Sequence, residues 1–234
     1  MENLISINQK RIILAGIIFS FLYAILASFF SSKLLEAFYA QSSLNATMFF
    51  ETRLVYWGLL LLMYFYVITV ERLPLLYWKD KKYSFMFYFL SVVITLLIGY
   101  TLNGIANTIL YFSHLFTSGK KMHEYDIILK NNIVLVVFTS LTAGVVEEFV
   151  FRGYIMSRLQ ILFNNKYITV IGSSLLFACA HLSYGTLTNF FTPLMIGLVF
   201  AIHYQRYRNI KIVIICHFLF DLISLLIMTK TNYR

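Results

Sequence analysis

Residues 133–156 read IVLVVFTSLTAGVVEEFVFRGYIM. A transmembrane helix needs about 20 mostly apolar residues, because each adds ~1.5 Å towards crossing a ~30 Å hydrocarbon core. This run is long enough. Yet its second half holds two carboxylates, Glu147 and Glu148, and a guanidinium, Arg152. A charge at the bilayer centre costs at least ~2.5–3.5 kcal/mol on insertion scales, so such groups are expected to be paired, turned inward and used. One stretch therefore points both to a membrane span and to chemistry inside it.

Working outward, runs of the same kind occupy about 12–31, 54–70, 85–112, 167–184, 187–204 and 210–228. The third is long enough to hold a kink near Asn103–Gly104 or an interfacial tail. A short extra helix after Arg152 would make eight. The expected fold is all-α, a polytopic transmembrane bundle of seven to eight helices in one membrane domain. Residues 1–132 would supply about three spans with their loops, and residues 133–228 the core that carries the chemistry. Composition agrees: 60% of the residues are hydrophobic and 12% charged, against about 25% charged in soluble domains. The run after Lys10 and Arg11 exceeds the apolar stretch of about 7–15 residues in a signal peptide, so a retained anchor is expected.

Lys and Arg are concentrated before the first run and in 71–84, 152–166 and 205–211, which would put the N-terminus in the cytoplasm. The net charge of +9 is spread through these short connections. No basic stripe interleaved with aromatics suggests nucleic acid, and none is expected as a partner. Cys179 and Cys216 both fall in apolar runs and are read as small buried residues rather than a disulfide.

Only Glu147, Glu148 and Asp221 among the acids lie within spans; the others, Glu71 included, are assigned to loops and termini. Glu148 and Arg152 stand at i and i+4 with the acid first, the favourable order for an ion pair. Glu147 is turned ~100° away from Glu148, so the two are not expected to share one site, and it has no partner on its own helix. Ala143 and Gly144, one turn earlier, leave room for a substrate or a neighbouring helix. Phe177 lies one turn before His181 and could wall that imidazole. His217 and Asp221, again i and i+4, can share one cavity. A desolvated carboxylate with an imidazole opposite can deprotonate a water, and His217, oriented by Asp221, could face an oxyanion. No GxSxG, HExxH or Ser/Lys pattern offers a covalent or zincin alternative.

In chain order, Glu147 to Arg152 fits EExxxR, Phe177 to His181 fits FxxxH, and His217 to Asp221 fits HxxxN/D. Together they resemble the CPBP family of CAAX prenyl endopeptidases and bacteriocin-processing or immunity membrane proteins, also called Abi. The resemblance spans roughly 133–228. It implies an intramembrane endopeptidase in which Glu147 and His181 activate water, His217 and Asp221 stabilise the oxyanion, and Glu148 and Arg152 support the site. Many members carry Asn at the last position; an ionised Asp221 cannot donate to an oxyanion. Gly197 matches a small-residue motif in which Ala201 replaces a common second Gly.

The implied partners are a hydrophobic or lipidated peptide or protein substrate and the lipid bilayer, in a bacterial plasma membrane. The oligomeric state is not legible. No cofactor is expected. A zinc-dependent variant would use His181, His217 and Glu147, and a non-hydrolytic immunity or binding protein would keep the motifs for packing. A transporter is the least favoured, since neither repeat symmetry nor paired broken helices are evident.

Overall fold

In a computed structural model, which describes residues 6–116 and 119–230, the chain is all-helical. Eight helices are formed among the described residues: α1 (Ile7–Phe38), α2 (Ala46–Glu71), α3 (Phe85–Phe112), α4 (Lys120–Leu129), α5 (Ile133–Phe163), α6 (Lys166–Ala180), α7 (Thr188–Tyr207) and α8 (Ile210–Lys230). Six are long and apolar enough to cross a membrane: α1, α2, α3, α5, α8, and α6 with the turn that follows it. The expected seventh span is present as α7, but Thr188, Asn189, Thr192, Gln205 and Arg206 make it more polar than those six. The eighth helix is α4, where a loop was expected, and not a separate helix after Arg152. There α5 simply continues to Phe163.

Helix ends follow local chemistry. The side chains of Asn45, Ser84, Asn132 and Asn165 accept hydrogen bonds from the first turns of α2, α3, α5 and α6, satisfying donors that lipid cannot. Between α5 and α6 the chain reverses in two residues: Asn164 takes the left-handed conformation at φ 45°, and Asn165 caps the next helix. The α7–α8 hairpin repeats the device with Arg208 at φ 51°. Asn209 then accepts from Ile212 N (3.2 Å), and Asp80 from Ile210 N (3.0 Å). α3 runs as continuous α-helix through Asn103–Gly104, and Asn103 accepts hydrogen bonds from Asn107 and, across to α7, from Thr192.

The central element is α5. Half of its apolar stretch is buried, against 17% for α3. Large apolar side chains such as Leu22, Leu26, Phe89 and Leu97 point outward from α1 and α3, as lipid-facing residues would. Gly144 lets α8 lie directly against α5: a Cβ there would stand 2.9 Å from Phe218 N and 3.0 Å from Ile214 O.

One sequence assignment is overturned at the far end of α5. Glu71 is not a loop acid; it ends α2, buried, and accepts from Arg158 Nε (2.8 Å) and from Tyr154 OH (2.5 Å). Arg158, fully buried, also donates to the carbonyls of Pro74 and Leu75. The pair clamps the α2–α3 connection onto α5.

Candidate active site

The site forms where α5, α6 and α8 meet. Over Ala143–Glu147 and Phe149–Ile155 α5 is wound as π-helix, a distortion often found at functional sites. Within it Glu148 and Arg152 pair as the spacing predicts, Nη1 to Oε1 at 2.7 Å, both fully buried. Arg152 Nη2 also reaches the Gly197 carbonyl at 3.2 Å, and the guanidinium lies 4.4 Å above the Phe177 ring. A Cβ at position 197 would press on Phe177 at 3.1 Å, which is why a small residue suits that point of α7.

Glu148 does more than neutralise Arg152. Its Oε1 stands 2.7 Å from His217 Nδ1. The carboxylate only accepts, so Nδ1 carries the hydrogen and Nε2 faces the opposite way. There it meets Glu147 Oε2 at 3.9 Å and Asp221 Oδ2 at 3.8 Å. Two expectations change. Glu148, not Asp221, orients the His217 ring, because only Glu148 is within hydrogen-bond distance. The adjacent glutamates also do not serve separate places: they approach one imidazole from its two ends.

His181 caps α6, its backbone N–H donating to Ala178 and Cys179 carbonyls. Its Nδ1 lies 2.8 Å from the Phe177 carbonyl, again an acceptor only, so Nε2 is left with its lone pair towards Glu147 Oε2 at 3.8 Å. The extension of α5 to Phe163 brings the two residues level: to within one residue, Glu147 lies as far before the Asn164–Asn165 turn as His181 lies after it. Phe177 is the expected wall, with its ring 4.7 Å from that of His181 and 5.8 Å from that of His217. Phe200, which no motif marked, stands 5.5 Å from His217 on another side.

Glu147 Oε2 is enclosed and takes no hydrogen bond from the protein. Its separations from the two Nε2 atoms are too long for direct hydrogen bonds and short enough for one water to bond to both partners. They also exceed the about 3.3–3.4 Å between ligand atoms of tetrahedral zinc at ~2.0–2.1 Å. Among the described residues no three His, Cys, Asp or Glu side chains are gathered tightly enough to hold a metal ion, so the residues set aside for zinc do not fit it here.

Two cavities reach the site. The larger, about 200 Å³, is bordered by Glu147, His181, His217 and Asp221. The smaller, about 40 Å³, lies between α1, α2, α5 and α6 and is bordered by Glu147, His181, Ser28 and Tyr56. Arg53 and Tyr184 line both. Arg53 falls one residue before the second apolar run as read from sequence, but it lies inside α2 and borders both cavities. An arginine embedded in an apolar run was the available signal.

Comparison with protein families gives a match over residues 129–223 to the model described as type II CAAX prenyl endopeptidase, Rce1-like. This is the family that the three motifs resemble. The matched segment contains all seven residues singled out from those motifs, and residues 1–128 lie outside it. The family is a peptidase family, which supports an intramembrane protease of the CAAX type. No curated protein and no solved structure matches the chain.

Proposed function

We propose, on the premise that residues 129–223 form a CAAX-endopeptidase-type core, that this integral membrane protein hydrolyses a membrane-proximal peptide bond with a water activated by Glu147 and His181. The observation that carries the reading is the convergence of Glu147 Oε2 and the two imidazole Nε2 atoms at 3.8 and 3.9 Å beside the larger cavity. Water held there would donate one hydrogen to Glu147 and the other to the His181 Nε2 lone pair. As its oxygen attacks the scissile carbonyl, a proton passes to Glu147, which can return it to the leaving amine. The new oxyanion would face His217. With Nδ1–H committed to Glu148, His217 donates from Nε2 only as the imidazolium, whose charge Glu148 and Asp221 offset. Asp221 therefore acts electrostatically on His217 and not as an oxyanion donor while ionised.

The substrate is a hydrophobic or lipidated polypeptide whose cleaved bond enters the larger cavity. Following the charge pattern of the loops, the N-terminus is assigned to the cytoplasm of a bacterial cell. The test is direct: purified protein in lipid nanodiscs, with excess chelator, is given an S-prenylated peptide with a CAAX terminus. Mass spectrometry should find cleavage within the last residues. Failure to cut any membrane-proximal peptide while the protein is folded would refute the reading and leave a non-hydrolytic binding or immunity role. Cleavage abolished by chelator and restored by zinc would favour the metallopeptidase instead.

A further inference from the structure

Arg53 is a cation within a membrane span without an acid to balance it. Among the described residues no carboxylate lies within ion-pair distance of its nitrogens. Its Nε and Nη2 donate to the neighbouring Thr52 hydroxyl, at 3.2 and 3.1 Å, and its other side-chain hydrogen-bond partner is the Tyr125 hydroxyl, which is uncharged. The walls are aromatic, with the guanidinium 4.6 Å from the Phe49 ring centre, 5.5 Å from Tyr56 and 5.9 Å from Tyr125. These contacts fix the plane of the group without neutralising it. A second cation closes the same end of the bundle: Lys121 donates to the Ser28 carbonyl at 2.7 Å and lies 5.3 Å from the Tyr184 ring. A partly buried cation with no carboxylate beside it is costly within a membrane span and is retained where it has a use.

Its position indicates the use. Arg53 borders both cavities that Glu147 and His181 border, so whatever reaches the water-activating pair also meets a guanidinium. We propose that Arg53 binds a carboxylate of the substrate, either the free C-terminus or an acidic side chain near the cleaved bond, and thereby sets specificity. A planar guanidinium offers a carboxylate two parallel N–H donors, and the aromatic walls exclude competing water. Arg53 lies outside the family-matched segment, so this preference belongs to the N-terminal half of this chain. The inference rests on the peptidase reading for the identity of its ligand as a peptide.

Binding and turnover can be separated. Glu147→Gln protein in nanodiscs is titrated with a fluorescent S-prenylated CAAX-terminated peptide, as free acid and as C-terminal amide. Two further amides carry Asp or Asn at the last position. A charge-assisted pair of this kind corresponds to about tenfold to a hundredfold in affinity. The free acid should bind that much more tightly than the amide if the terminus is recognised; Asp should exceed Asn if a side chain is. In either case adding Arg53→Gln should reduce the ratio to near unity. Arg53→Lys, which keeps charge and bulk, should retain only part of it and serves if the Gln variant does not fold. Equal binding of all four peptides, or an undiminished ratio in folded Arg53 variants, overturns the proposal. Wild-type cleavage with equal binding would remove this inference and leave the peptidase intact. Discrimination without cleavage would do the reverse.

Discussion

Replacing Glu148 by Gln tests whether the buried charges form one unit. In the native protein its Oε1 receives Arg152 and His217 at 2.7 Å each, and neither the acid nor the guanidinium is exposed. The amide removes the anion and leaves Arg152 as an unbalanced buried cation, a change that costs about 3–5 kcal/mol. It also lets an amide N–H face His217 Nδ1, which moves the imidazole hydrogen to Nε2. Where an orienting carboxylate becomes an amide in a triad enzyme, the rate falls up to about 10⁴-fold; a loss of about 10²–10⁴-fold is expected here. Glu148→Leu with Arg152→Met removes both charges together. The unpaired His217 Nδ1 then remains, at about 1–3 kcal/mol, with the loss of the Arg152 bond to the Gly197 carbonyl, so the double variant should be more stable than Glu148→Gln yet stay inactive. Unfolding in mixed micelles, followed by tryptophan fluorescence, and peptide hydrolysis in nanodiscs give the two readouts. A Glu148→Gln protein within about 1 kcal/mol of wild type, or a double variant with native turnover, would refute the coupling.

The clamp at the other end of α5 should affect stability alone. Arg158→Met leaves the buried Glu71 with the Tyr154 hydroxyl but no cation and frees two carbonyls, costing about 3–5 kcal/mol in the same unfolding assay, with kcat of the folded fraction within a few fold. Gly144→Ala should do the opposite. It places a methyl against the backbone of α8, costing about 1–3 kcal/mol through overpacking, and by moving His217 it should lower hydrolysis more than that loss explains. Lys121 lies outside the spans and is pushed down to about 8, chiefly by burial and then by the charge of Arg53. At pH 8 roughly half of it is the free amine, against well under ~1% of a lysine titrating at ~10.4. Amine acetylation at pH 8 read by peptide mass spectrometry should therefore mark Lys121 ahead of exposed lysines, whereas labelling no faster than theirs would contradict its lowered basicity.

Much of the site was legible because lipid makes charges conspicuous. Glu147, Glu148, Arg152, His181 and His217 stand out in apolar runs, and their order placed them on three helices. What could not be read was which nitrogen faces which oxygen. Spacing of i and i+4 offered Asp221 to His217, but the π-wound turns of α5 bring Glu148 closer from the neighbouring helix. The ends of spans were also misplaced where polar residues are buried by tertiary pairing: Glu71 and Arg158 satisfy each other, and Arg53 sits among aromatics. α4 was hidden for a different reason. Its helix is short and polar, and it packs Tyr125 and Leu129 into a local cluster with Phe49 and Leu135, a contact that no periodic signal announces.

The central claim is that Glu147 activates the attacking water, and single-turnover hydrolysis by Glu147→Gln measures it most directly. The account predicts a fall of at least about 100-fold with an unchanged melting temperature and unchanged peptide binding. Turnover within tenfold of wild type, in protein shown to be folded and inserted, would contradict it.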